Sequence, residues 1–227
     1  TVYDGVIATS LTDFDSLQVV RGSTEVTFLN DLSTSTVTGQ TQTVQVRVRA
    51  TGGAAGIPTG NVSISVSVNG NVVQDAASKC TATLTNGTRS CTLRFLNRGD
   101  YTVLAQYISD LNFEGSNNTA NHPVAEAPTQ TVFTQTPPVT KVGQSITFSL
   151  QSTVSAPGAG TLTGTAWVVD AGLAPGSPGY LVCEVPNVNN GAGTCSHTLL
   201  STATKVYKVI YDPIGAAVQD SNFSSSE

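Results

Sequence analysis

Residues 61–68 read Asn-Val-Ser-Ile-Ser-Val-Ser-Val, so Val62, Ile64, Val66 and Val68 fall on one side of an extended chain and the serines on the other. Period-2 alternation puts one face in a core and the other in water, as in an antiparallel sheet. The same rhythm returns at Val44, Val46 and Val48 between Gln45, Arg47 and Arg49. It returns again at Tyr101, Val103, Ala105 and Tyr107, and at Ile146, Phe148 and Leu150. No window sustains apolar residues at i, i+3 and i+4, so no long helix is expected. Gly, Asn and Pro clusters break the chain about every ten residues, which predicts seven or so strands per domain and a β-sandwich.

The strands come in two sets. Gly39-Gln40 returns as Gly143-Gln144, Thr59-Gly60 as Thr163-Gly164, Cys91 as Cys195 and Tyr107 as Tyr211, each 104 positions later. Cys80 returns as Cys183, one residue short of that spacing. A repeat this long is a whole domain, so the chain is expected to carry two tandem sandwiches over residues 23–124 and 128–227. Thr24–Phe28 opens the first and Thr129–Gln135 the second, while Pro123–Pro128 is expected to be a short, stiff linker.

Composition narrows function. Charged residues make up 11% of the 227, and the net charge is −5. A pI near 4.9 argues against a nucleic-acid groove, which needs a basic stripe. No apolar run of about 18 residues is present, so no membrane span is expected. The chain has no Met and no leader-like start, which reads as a processed protein or an excerpt.

Four cysteines stand as one pair per repeat, and this placement predicts internal disulfides Cys80–Cys91 and Cys183–Cys195 in an oxidising, extracytoplasmic setting. The competing reading is four buried thiols; zinc is disfavoured because no C-x2-C spacing exists and His122 and His197 occupy unrelated repeat positions. Asn86-Gly87 between the two runs reads as a hairpin turn. A two-residue Asn-Gly turn makes the cysteines diagonal neighbours, and a loop centred on Thr85-Asn86 sets them directly opposite; the sequence leaves that register open.

These residues resemble the bacterial immunoglobulin-like repeats of large secreted and surface proteins. The resemblance rests on Val142–Phe148 opening a repeat, on Pro58-Thr59-Gly60-Asn61-Val62, and on Tyr101–Tyr107 followed by Ser109–Ser116. It is looser in the second repeat, where Ala171–Tyr180 is a Gly/Pro-rich insertion and the Asp-x-x-Phe tail is spread over Asp212–Phe223. The resemblance implies an all-β, Ig-like fold in a stalk, filament or adhesin body, and implies no enzyme activity.

No catalytic, cofactor-binding or metal-binding residues are assigned. There is no G-x-S-x-G, no H-E-x-x-H and no phosphate loop, and Gly158-Ala-Gly160 lacks the third glycine of a dinucleotide fingerprint. Arg98-Gly99-Asp100 spells an adhesion tripeptide, yet its repeat counterpart is Thr202-Ala203-Thr204, so a plain turn is the favoured reading. Asp110–Gly115 resembles the start of a calcium loop, but its twelfth position, Asn121, has no carboxylate, which favours a turn. Asn61, Asn86, Asn117 and Asn222 begin N-x-S/T triplets. Trp167 reads as core rather than as a sugar platform.

Residues 1–22 match the end of a repeat rather than its beginning, and Tyr3-Asp4 echoes Tyr211-Asp212. Two readings stand side by side. Either the chain is a window on a longer array, or residues 1–22 add as a strand to the second repeat of a neighbouring copy. The expected partners are therefore copies of the chain or neighbouring Ig-like repeats, end to end through residues 1–22; a surface glycan or protein ligand is left open. The expected function is a non-catalytic extracellular structural protein, the alternative being a carbohydrate-binding or adhesive module of a secreted enzyme.

Overall fold

The computed structural model describes residues 18–135, 139–214 and 220–227. Nine strands lie in the N-terminal half: β1 (Thr24–Phe28), β2 (Thr36–Val37), β3 (Thr41–Ala50), β4 (Asn61–Val68), β5 (Asn71–Val72), β6 (Cys80–Thr83), β7 (Thr88–Arg94), β8 (Gly99–Tyr107) and β9 (Ser116–Ala125). One sheet runs β1-β3-β7; the facing sheet runs β2-β9-β8-β4-β5, with β6 also on β4. The alternation seen in sequence is what closes the sandwich. Val44, Val46 and Val48 of β3 share one core with Val62, Ile64 and Val66 of β4 and with Val103 and Tyr107 of β8. Burying each such Val or Ile side chain contributes about 1.5–3 kcal/mol, which holds the two sheets face to face.

Six described strands follow: β10 (Thr129–Phe133), β11 (Ser145–Val154), β12 (Thr165–Asp170), β13 (Leu181–Val185), β14 (Ala192–Thr198) and β15 (Tyr207–Asp212). They form sheets β10-β11-β14 and β13-β12-β15, an order that repeats β1-β3-β7 and β6-β4-β8. A second, separate core gathers Ile146, Phe148, Leu150, Ala166, Val168 and Tyr211. Tyr107 lies opposite Val62 and Tyr211 opposite Ala166, and both tyrosines are fully buried. The only described helix is the single 3-10 turn Ala76–Ser78.

Both disulfides are present, Cys80–Cys91 with Cα atoms 6.4 Å apart and Cys183–Cys195 with Cα atoms 5.9 Å apart. They do not lie across a hairpin, and here the sequence reading is corrected. The Asn86-Gly87 turn forms, with Asn86 at φ 50° and Gly87 at φ 70°, and Thr85 and Thr88 exchange two backbone hydrogen bonds of 2.9 and 3.0 Å. Beyond it the strands part: β6 joins β4 in one sheet and β7 joins β3 in the other. Each strand takes its ladder from a different sheet, so the cysteines face each other across the core and the bond staples the two sheets. Cys183 on β13 and Cys195 on β14 repeat this after a second Asn-Gly turn, Asn190-Gly191. On the chain-entropy model each short loop contributes about 3 kcal/mol.

The expected linker is also corrected. Pro123 and Val124 pair with Asp100 and Gly99 inside β9, and Ala125 pairs with Val37. Ala127 is fully buried in the second core, so Glu126 alone lies between the two packed units. The strand expected over residues 1–22 falls largely on residues 1–17, outside the described part; residues 18–21 form no strand, and Gly22 makes one parallel bridge to Phe113.

Candidate functional site: the joint between the sandwiches

Because one residue separates the two packed units, their ends meet directly. Thr38 N donates to Ala125 O at 2.9 Å, and Thr38 O accepts Ala159 N at 3.1 Å, so the start of the second unit is hydrogen-bonded to the turn after β2. Gly39 sits at φ 79°, and a Cβ there would lie 1.9 Å from Ala159 O. Only glycine fits so close a backbone approach. Val37 packs against the second core rather than its own.

On the other side of the joint Asn222 reaches back. Its Oδ1 accepts Arg98 N at 2.9 Å and its Nδ2 donates to Asn97 Oδ1 at 3.1 Å. The Arg98 guanidinium pairs with Glu126, the one intervening residue. Both partners are substantially exposed, so the pair is worth at most about 1 kcal/mol and serves orientation more than stability. Between these contacts lies an open cleft of about 670 Å³, lined by Arg98, Asp100, Val124, Glu126, Pro128 and Ser224.

This geometry disposes of the Arg98-Gly99-Asp100 tripeptide as a protruding loop. Gly99 and Asp100 begin β8, paired with Val124 and Pro123, and Arg98 is held by Asn222 and Glu126. A ladder-bound strand cannot present the tripeptide at a loop apex.

The acidic turn is a clasp. Asp110 Oδ2 accepts Thr59 N at 2.9 Å and Thr59 Oγ1 at 2.7 Å, while Oδ1 accepts Asn112 N at 2.8 Å and Phe113 N at 2.7 Å. Burial acts to raise the Asp110 pKa, but these four donors outweigh it and hold the carboxyl well below the usual carboxylate range. Asn121 lies on β9 opposite Thr102, away from the turn. Among the described residues no group of three or more His, Cys, Asp or Glu side chains is placed to hold a metal ion.

The second unit carries the same clasp at Asp220-Ser221-Asn222-Phe223, which the fixed spacing of 104 hides. Asp220 Oδ2 accepts Thr163 Oγ1 at 3.1 Å and Oδ1 accepts Asn222 N at 3.1 Å. Gly22 N bonds Asn112 O and Ala127 N bonds Asn222 O, both at 2.9 Å, so each unit's first residue locks onto the same motif. Phe113 and Phe223 plug the two cores. Matching Ser226 to Ser116, through their bridges to Tyr211 and Tyr107, makes Glu227 the counterpart of Asn117 rather than of Pro123.

Other singled-out residues scatter. Trp167 is not core: it alternates with buried Ala166 and Val168, and lies half-buried on the outer face between Glu184 and Ile210. Asn61, Asn86 and Asn117 are exposed, whereas Asn222 is committed to the joint. His122 is fully buried, with Nδ1 donating to Leu32 O and Nε2 accepting from Thr36 Oγ1, each at 2.8 Å.

Residues 29–125 match the family model of the bacterial Ig-like domain (group 3). The first sandwich is a bacterial Ig-like domain. That span covers β2–β9 and includes Cys80, Cys91 and the Asp110 clasp. Among solved structures, invasin, a bacterial integrin-binding protein, is 12% identical with TM-score 0.49, covering 89% of this chain and 38% of its own. An Escherichia coli alpha-2-macroglobulin is 16% identical with TM-score 0.35, covering 86% of this chain and 15% of its own. Red sea bream transglutaminase is 14% identical with TM-score 0.36, covering 92% of this chain and 31% of its own. The chain thus spans well under half of each of these structures. None of the curated proteins matches it.

Proposed function

We propose that the chain is a non-catalytic structural segment of an extracellular protein, in which tandem Ig-like sandwiches form a stalk or a head-to-tail filament of a bacterial surface appendage or adhesin. The observation that carries this reading is the joint. One residue, Glu126, separates two packed cores, and Asn222, Thr38 and Ala159 hydrogen-bond across it. A spacer must transmit orientation from unit to unit, and a direct, hydrogen-bonded joint does so where a flexible linker does not. Two sheet-bridging disulfides fit an oxidising environment outside the cytoplasm. No helix of the described residues is long and apolar enough to cross a membrane.

The second reading is an adhesive or carbohydrate-binding accessory module, and the half-buried Trp167 on an outer face is the observation in its favour. Affinity electrophoresis against a panel of soluble polysaccharides, with pull-down on insoluble cellulose and chitin, separates the two. The structural reading predicts unchanged mobility and no retention. Retardation by one glycan, abolished by Trp167→Ala, would replace it with the accessory-module reading.

A further inference from the structure

In the first sandwich β9 fills a slot between β2, to which it runs parallel, and β8, to which it runs antiparallel. His122 and Val124 point inward from it, and His122 stacks on Phe95 with ring centroids 4.7 Å apart. The second sandwich has both walls of this slot. Gly143 N donates to Leu199 O at 2.7 Å as Gly39 N does to Phe95 O, which sets residues 140–142 where Thr36–Thr38 lie. β15 stands where β8 stands. Among the described residues, the β15 edge facing this slot carries only the Tyr211–Ser226 bridge. Beside it opens a groove of about 610 Å³ lined by Phe133, Val139, Ile146, Leu199, Val206 and Tyr207. Val206 is 65% exposed, and Val139 is fully exposed.

We propose that this slot binds residues 15–20 of a second copy of the chain as an added strand, so that the contact between copies repeats the joint within the chain; the idea rests on the stalk-or-filament reading above. The phase of that segment carries the assignment. Gly22 bonds Asn112 as Ala127 bonds Asn222, so Val19 falls at the position of Val124 and Leu17 at that of His122, the two inward places of β9. Apolar residues therefore occur where the slot takes them. Val19 and Val20 are 84% and 75% exposed within one copy, and an added strand covers the first of them. Asn112, the counterpart of Asn222, is exposed and positioned to meet the Ser201-Thr202 turn of the other copy as Asn222 meets Asn97-Arg98. The contact is heterologous and does not close, so it builds a fibre.

The register gives a direct test. Val124 pairs with Gly99, whose counterpart is Ala203, so Val19 of one copy lies opposite Ala203 of the next. All four native cysteines are in disulfides, so Val19→Cys and Ala203→Cys, both at exposed positions, introduce the only free thiols. The oxidised double variant should give a ladder of covalent multimers on a non-reducing gel, and each single variant at most a dimer. Adding Leu17→Asp, a charge aimed into the slot, should abolish the ladder while leaving the fold intact. The proposal is overturned if the double variant stays monomeric, cross-links within one copy, or cross-links equally well with Leu17→Asp. Tumbling of the intact monomer as one rigid body, read by NMR relaxation, reports the joint within the chain separately, so a missing ladder with a rigid monomer removes this contact and not the stalk.

Discussion

Asn222 of the second sandwich donates from Nδ2 to Asn97 Oδ1 of the first at 3.1 Å while its Oδ1 takes the Arg98 backbone N–H at 2.9 Å. One side chain thereby reads both residues of the turn before β8, and it belongs to the Asp220–Phe223 clasp that closes its own domain. Fold and joint share a residue.

Asn222→Ala should therefore loosen the joint more than it destabilises either sandwich. Two neutral hydrogen bonds of about 1 kcal/mol each are lost across a solvated boundary. Small-angle scattering should show a broader distribution of end-to-end distances, and the melting temperature should fall by only a few degrees. A variant with unchanged scattering would show that Thr38, Gly39 and Ala159 hold the joint unaided.

The two Asn-Gly turns should respond unequally to a methyl group. Gly87 and Gly191 both have positive φ, but a Cβ on Gly87 would lie 2.8 Å from Val48 O and one on Gly191 would lie 2.0 Å from Ser152 O. Gly191→Ala should cost more, by roughly 1–2 kcal/mol in urea unfolding, because backbone must move and the strain of the left-handed conformation is common to both. Equal losses would contradict the packing at Ser152.

The paired tyrosines should also diverge. Tyr211 Oη donates to Thr163 O at 2.5 Å, whereas Tyr107 Oη is buried with no hydrogen-bond partner. Burial, with the Asp110 carboxylate beside it, pushes the Tyr107 phenol up to about 12. Tyr107→Phe should be neutral or slightly stabilising, and Tyr211→Phe should lose about 1 kcal/mol. Denaturant midpoints of the two variants decide it.

The clasp at Asp110 sets an acid limit. Its folded pKa lies below the ordinary value of 3.8, so its contribution is fully present above that value and is lost as the pH falls through the folded pKa. Stability measured between pH 6 and strongly acid conditions should fall below about pH 4, and Asp110→Asn should flatten that slope while lowering stability at neutral pH. A variant with the wild-type acid slope would remove Asp110 from the account.

How much of this was legible depends on what alternation encodes. It gives faces, so β3, β4, β8 and β11 and the burial of Tyr107 and Tyr211 could be read directly. It does not give partners, so the parting of β6 and β7 into opposite sheets was invisible behind an Asn-Gly signal that normally marks a hairpin. The second turn and the second clasp escaped for another reason. Asp110 follows Tyr107 closely, whereas Asp220 follows Tyr211 only after residues 212–219, and this insertion breaks a fixed spacing. Asp-x-Asn-Phe at both places would have revealed it. Trp167 was misplaced because a strongly apolar run, Ala166–Val169, obscures its own period of two. The joint had no sequence signal, since Pro123–Pro128 carries the composition of a linker and is consumed by β9 and β10.

The most direct test of two disulfide-stapled sandwiches acting as a load-bearing spacer is single-molecule pulling between the chain's ends. The account predicts two discrete unfolding events under oxidising conditions, with the Cys80–Cys91 and Cys183–Cys195 loops, separations 11 and 12, held closed. Reductant should lengthen each event by the released loop, roughly 3–4 nm at the reach of an extended chain. A gradual extension without separate events, or event lengths that reductant leaves unchanged, would contradict it.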